Sequence, residues 1–320
     1  MKLSHVLLFA IIIIPLIPLV LLGAIWATYK QIFISRKLGI SATGADMLNS
    51  RWIMHITGQR DDEYTYALLA VLPNASRAAL WATMFPVWLN YRLTGHVHGS
   101  LSVPPEGHES IATFIYGRTI FFDELFERHL DTMEQVVFLG AGCDTRAFKF
   151  CQRDGLSVFE LDRAKTQQVK IEALGRAGLN SDFITFVPVD FADKQWHERL
   201  LESGFDSNKK TLFLWEGVTL YLYEADVLAS LQSIATIGAP GSILACDIYD
   251  DSFLATAKKG EWILKLTKET LHYSLDLKTD PRTTIGTLLN DADLSLQHVH
   301  LGGEATKKGT MVALIEASIP

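Results

Sequence analysis

The hydrophobic pattern changes character twice along the chain. From Leu3 to Tyr29 there is no Asp, Glu, Lys or Arg, and the core VLLFAIIIIPLIPLVLLGAIW is long enough as a helix to cross a hydrocarbon layer of about 30 Å. Pro15 and Pro18 are tolerated in such a segment and kink it. The run exceeds the roughly 7–15 apolar residues of a cleaved signal, and no small-x-small site follows it, so an uncleaved anchor over residues 1–30 is expected. Lys30, Arg36 and Lys37 follow the run and only Lys2 and the amino terminus precede it, which puts the bulk of the chain in the cytoplasm by the positive-inside tendency.

A second apolar region, ALLAVLP (Ala67–Pro73) and AALWATMFPVWLNYRL (Ala78–Leu93), reads as a helical pair broken at Pro73-Asn74. Its aromatic second half either lies in the membrane interface beside the anchor or covers the cleft of the domain that follows. Residues 31–114 are thus expected to form a helical accessory or lid region, and 115–320 the main domain. From Gln135 onward, short continuous apolar runs alternate with amphipathic stretches: QVVFL (135–139), LSVFELD (156–162), ITFVPVD (184–190), TLFLW (211–215) and SILACDI (242–248). Strands apolar on both faces and separated by helices imply a parallel sheet covered on both sides, a doubly wound α/β fold. A helical region over Asp251–Leu275, a helix near Thr284–Asn290 and two closing strands, LSLQHVHLG and TMVALIEA, complete the chain, the strands forming an antiparallel hairpin at the sheet edge.

Composition narrows the function classes. The formal charge is −7 and Lys and Arg form no runs, so no basic face for nucleic acid is visible. Three cysteines, Cys143, Cys151 and Cys246, are too few and too scattered for a disulfide framework or a zinc site. TGHVHG offers two histidines without a third ligand at recognisable spacing, and reads as a solvated loop; no metal is expected.

Ligands of such sheets bind at the carboxyl ends of the strands. There the first strand closes in Gly140, Ala141 and Gly142, where a missing Cβ lets a ligand approach the backbone. The second ends in Glu160, Leu161 and Asp162, about 20 residues on, the spacing at which an acid accepts from a ribose diol. A dinucleotide site would favour a third glycine for the pyrophosphate, and Thr145 stands there instead. Asp144 and Arg146 either meet the ligand or cap the following helix.

VVFLGAGCDTRAF, FELD, VPVDFADKQW and LWEGVTLYL, in that order and spacing, resemble the class I S-adenosylmethionine-dependent methyltransferases of the leucine carboxyl methyltransferase and polyketide O-methyltransferase group, from about Ile115 to the end of the chain. The resemblance implies a Rossmann-like sheet and S-adenosyl-L-methionine as cofactor. It also implies that Gly140 and Gly142 meet the methionine part, Glu160 with Asp162 the ribose, Asp190 with Phe191 the adenine, and Glu216 with Gly217 the methyl-donor region. YGRT suggests Arg118 for the cofactor carboxylate, a task suited to a bidentate guanidinium. Tyr116, Glu216 and Tyr221 are the candidates for the acceptor pocket, with no catalytic base assigned. The implied reaction is direct displacement onto a small-molecule carboxylate or hydroxyl, with a thiol or hydrosulfide as the alternative. A nicotinamide-dependent oxidoreductase and a non-catalytic anchored scaffold are the readings of other classes. The N-terminal membrane segment departs from the family's soluble members, so the acceptor transfers least readily.

Overall fold

The computed structural model describes residues 3–259, 266 and 269–320. The expected strands form as β1 (Gln135–Leu139), β2 (Ser157–Asp162), β3 (Ile184–Pro188), β4 (Thr211–Trp215), β5 (Ile243–Tyr249), β6 (Ser295–Gly302) and β7 (Val312–Ser318). They make one sheet in the order β3-β2-β1-β4-β5-β7-β6, with the first five parallel and β7 antiparallel to both neighbours. This is the doubly wound, Rossmann-like arrangement closed by an antiparallel hairpin. The hairpin is inserted rather than appended: β7 lies inside, against β5, and β6 is the outer strand.

Alternation along each strand divides the apolar side chains between two layers. Val136, Phe138, Val158, Leu212 and Leu214 face one core, and Val137, Leu139, Phe159, Leu161, Phe213 and Trp215 the other. The helices are α1 (Leu3–Tyr29), α2 (Ser35–Leu38), α3 (Thr43–Ile56), α4 (Glu63–Leu69), α5 (Arg77–Thr94), α6 (Phe114–His129), α7 (Arg146–Phe150), α8 (Ala164–Ala177), α9 (Trp196–Glu202), α10 (Glu224–Ile237), α11 (Asp251–Lys259) and α12 (Pro281–Asn290). Leu48 and Trp52 of α3 and Leu68 and Leu69 of α4 join the first core, so the helices before the sheet share its apolar interior.

Sequence signals account for the helix ends. Asp62 caps α4 by accepting from the Thr65 amide at 2.9 Å, Ser76 caps α5, and α12 starts at Asp280 followed by Pro281. The Pro73-Asn74 turn separates α4 from α5 as expected. The helical run expected over Asp251–Leu275 is corrected in part. It forms over α11, residues 260–265 and 267–268 lie outside the described residues, and the chain from 269 to 275 is not helical. There Leu271, Tyr273 and Leu277 turn inward with the alternation of an extended chain, and the Leu275 amide donates to the Tyr249 carbonyl at 3.0 Å.

α1 runs antiparallel along α5. The ring of Phe9 lies 6.3 Å from His98, beyond the far end of α5, and a Cβ on Gly23 would stand 2.7 Å from both the Ala79 carbonyl and Thr83 Oγ1. The opposite side of α5 meets the core through Trp81, edge-on to Trp52 at 5.2 Å. α5 is therefore held between α1 and α3. The helical run Leu7–Leu38, whose most apolar 18 residues have mean hydropathy 2.9, is the one among the described residues long and apolar enough to cross a membrane.

A buried ionic lattice fastens these helices to the sheet. Asp123 of α6 accepts from Arg60 Nε at 2.7 Å and Arg146 Nε at 2.7 Å, with Lys149 Nζ at 3.0 Å. Arg60 also pairs with Asp62, whose carboxylate takes the Thr65 and Thr145 hydroxyls. Burial alone would raise the Asp123 carboxyl, but Arg146 and Arg60 hold it well below the usual carboxylate range. A depressed folded-state pKa contributes stability above the unfolded value of about 3.9 and loses it as pH falls further. Thermal unfolding across pH 7 to 2 should therefore show a midpoint that drops from about pH 4 downward. Asp123→Asn should lower the midpoint at pH 7, through a loss of about 3–5 kcal/mol, and flatten that drop, because it strands buried guanidinium groups. An unchanged acid profile in the folded variant would contradict this.

Candidate active site

Register brings the expected residues to one edge. Leu139 pairs with Leu161 and Phe138 with Leu214, so the turn after β1, the end of β2 and the end of β4 lie side by side. The amides of Gly140 and Ala141 both donate to the Leu161 carbonyl, at 2.8 and 3.0 Å, and the Gly142 amide donates to Asp162 Oδ2 at 2.7 Å.

The two glycines do different jobs. Gly140 has φ +73°, and a Cβ there would lie 2.3 Å from Val218 Cγ2; glycine is needed so that the loop after β4 can pack against the turn. Gly142, at φ +48°, has only the Gly140 carbonyl oxygen near where its Cβ would be, at 3.9 Å, an ordinary contact. Thr145, standing where a third glycine would suit a pyrophosphate, is fully buried and hydrogen-bonded to Asp62 and Thr65 at 2.8 and 2.9 Å. That position serves the helical layer.

The acids of β2 separate in depth. Glu160 and Asp162 share a face, but Glu160 lies two residues, roughly 6.6 Å, inside the strand end. There α8 covers it, and both of its oxygens accept from Lys170 Nζ, at 2.8 and 2.7 Å, with both side chains almost wholly buried. Lys170 also donates to the Asp144 carbonyl at 2.7 Å. Asp162 ends the strand half-buried, with Oδ1 taking the Arg163 amide and Oδ2 that of Gly142. Asp190, after β3, is exposed and turns its Oδ1 to the Ala192 amide at 3.1 Å, while Phe191 is buried 5.5 Å from the Trp196 ring.

The centre of the edge is a cluster of three arginines and their acids. Arg118 of α6 meets Glu216 Oε1 at 3.0 Å and Asp247 Oδ2 at 2.7 Å and also touches the Tyr249 hydroxyl. Arg146 contacts Glu216 and Asp144, and Arg51 of α3 reaches the same two acids at 3.1 and 2.9 Å. Gly217, at φ +70°, donates its amide to Asp247 at 2.9 Å, and a Cβ there would meet Arg118. Burial would raise the Glu216 and Asp144 carboxyls, but Arg146 and its neighbours hold both below their ordinary values. Arg51 is the participant that motif reading missed, because it stands far before the glycine turn. Its one signal is a cation directly before the apolar run Trp52-Ile53-Met54, on a helix that buries them all.

The cluster leaves hydrogen-bonding capacity unused. Arg51 Nε is buried without a hydrogen bond, whereas Arg118 Nε and Glu216 Oε1 face each other at 3.0 Å as an ion pair. The unpaired Arg51 Nε, beside the Arg118–Glu216 pair, is a charged donor suited to a carboxylate. Around them, Tyr221 bonds Thr43 Oγ1 through its hydroxyl at 2.8 Å, and Tyr116 is buried on α6. Burial, with Asp46 nearby, pushes the Tyr116 phenol up to about 12, and burial with Glu269 pushes that of Tyr221 up as well. His98 caps a short turn through the Ser100 amide, and among the described residues no group of His, Cys, Asp or Glu is arranged to hold a metal.

Residues 87–235 match the family model for leucine carboxyl methyltransferase. A relative from Mycolicibacterium paratuberculosis is 31% identical over 173 residues, covering 53% of this chain and 56% of its own. One from Mycobacterium marinum is 34% identical over 142 residues, covering 44% and 45%. Both are named provisionally as S-adenosyl-L-methionine-dependent methyltransferases, and the chain spans about half the length of the curated relatives it matches. Among solved structures, magnesium protoporphyrin IX methyltransferase from Synechocystis PCC 6803 with bound SAH aligns at TM-score 0.44 and 13% identity, over 74% of this chain and 95% of that one. With the sheet order and the strand-end residues already in place, the match over residues 87–235 makes the chain similar to the leucine carboxyl methyltransferase family, and the relatives it matches carry the name of S-adenosyl-L-methionine-dependent methyltransferases.

Proposed function

We propose that the chain is a membrane-anchored methyltransferase, cytoplasmic in its catalytic part, that moves a methyl group from S-adenosyl-L-methionine to a small-molecule carboxylate. The observation that carries this reading is the buried cluster of Arg51, Arg118 and Glu216 at the strand ends beside the glycine turn, in which Arg51 Nε has no hydrogen-bond partner. Arg118 and Arg51 hold the cofactor's carboxylate, Glu216 its ammonium, and the turn at Gly140–Gly142 lies along its methionine part. The ribose diol falls to Asp162 rather than Glu160, because both Glu160 oxygens are committed to Lys170. Asp190 and Phe191 flank the adenine. Residues 1–30 act as the anchor and 31–114 as the lid over the domain of residues 115–320.

When bound, the cofactor supplies an electrophilic methyl on a sulfonium. The chain's own contribution is alignment, which can account for a large part of the barrier reduction. Tyr116 and Tyr221 stay protonated at neutral pH, so neither takes a proton from an acceptor. That favours an acceptor that arrives ionised: a carboxylate with a pKa near 4 does, whereas a phenol near 10 needs help. A thiol, with a pKa of about 8.5, is the second reading on the same observation, being partly ionised and strongly nucleophilic.

Calorimetry with S-adenosyl-L-methionine separates the two β2 acids. Asp162→Ala should weaken binding at least tenfold, since hydrogen bonds to a charged group are worth about 1.5–3 kcal/mol. Glu160→Gln should lower the thermal midpoint, by stranding buried Lys170, and leave affinity within about threefold. The opposite ranking would return the ribose to Glu160.

A further inference from the structure

A cavity of about 490 Å³ lies where the end of α1 meets the start of α5. Its walls include Trp26 from α1 and Lys30 directly after it, Ala70, Leu72 and Ser76 from the α4–α5 turn, and Arg77. Lys30 and Arg77 are the only charged residues among the described residues lining it, and neither makes an ion pair with a described residue. In a chain of net charge −7 this is a local excess of uncompensated positive charge. The Arg77 guanidinium is held 4.8 Å over the Tyr66 ring, so one of the two cations is oriented in advance.

The position of the cavity along the first helix gives it meaning. Lys30 is the first charged residue after the charge-free stretch Leu3–Tyr29. Trp26, Tyr29 and Phe33 stack there at 5.5 and 5.3 Å, all about half exposed. Exposed aromatic rings followed by a cation are what the level of lipid headgroups selects.

We infer that this cavity binds the phosphate headgroup of an anionic phospholipid, with Lys30 and Arg77 on the phosphate and the aromatic stack against the upper acyl chain. The inference rests on the membrane reading above. The pairing is suited to both ends of such a lipid, because each basic residue near an anionic surface adds to its attraction and the rings accept an amphipathic neighbour. The site also fixes the depth of the molecule, since α5 leads from the cavity along α1 while its other side meets the core beside Arg51 through Trp81 and Trp52.

The test uses the full chain in a neutral mild detergent and reads the unfolding midpoint during titration with short-chain phosphatidylglycerol, short-chain phosphatidylcholine or inorganic phosphate. Phosphatidylglycerol should raise the midpoint, and the other two should not. K30Q/R77Q should need roughly tenfold more phosphatidylglycerol for the same rise. K30R/R77K should respond like the unaltered chain, and both variants should bind S-adenosyl-L-methionine normally, which shows that they fold. An unaltered response in K30Q/R77Q, or an equal response to phosphatidylcholine, would overturn the site, and an equal response to inorganic phosphate would make it a free-anion site. Recovery of the full chain in the soluble fraction without detergent would overturn the membrane reading itself, whereas a membrane-bound chain indifferent to phosphatidylglycerol would overturn only this cavity's role.

Discussion

The buried pairing of arginines with carboxylates is the constraint on which the rest of the molecule depends. Arg60 and Arg146 converge on Asp123, and Arg51, Arg118 and Arg146 converge on Asp144 and Glu216, all with little or no exposed side-chain surface. Such pairs add little net stability over apolar packing, because desolvating the charges offsets their attraction, but leaving any one unpartnered is costly. The lattice therefore specifies how α3, α4 and α6 sit on the sheet more than how strongly they do so. Its partners come from both sides of the join: Arg51, Arg60 and Asp62 precede the sheet, while Asp144, Arg146, Glu216 and Asp247 belong to strand ends and their turns. The helical layer and the strand-end edge are consequently one structure.

Much of this was legible in the chain. Strands buried on both faces must be continuous apolar runs, and QVVFL and TLFLW became β1 and β4 at the bounds read from sequence. The strand-end residues followed, since parallel register brings equivalent ends together. Depth within a strand was harder to read: Glu160 and Asp162 have the same parity, and only the cover of α8 with Lys170 sets the buried, paired Glu160 apart from Asp162 at the strand end. Gly140 was legible as a glycine that something must approach, yet what approaches it is Val218. Arg51 was out of reach because its meaning depends on a contact across the fold with residues 93 and 165 positions away.

The position of α5 connects the site to the exposed apolar helix α1. A small-residue contact at Gly23 lets α1 and α5 approach closely, and Trp81 on the other side of α5 packs on Trp52, the neighbour of Arg51. Three helices thus separate the apolar exterior from the strand ends. α3 reaches the strand-end acids through Arg51, and the aromatic α5 packs behind it through Trp81.

The central claim is that the helical layer and the cofactor edge respond as one unit. Amide hydrogen exchange of the full chain with and without S-adenosyl-L-methionine tests it most directly. The account predicts slowed exchange in α3, around Arg51, and in α6, around Arg118, together with the turn at Gly140–Gly142 and the end of β2. Protection confined to the turn and the β2 end, with α3 exchanging as fast as in the free protein, would contradict it.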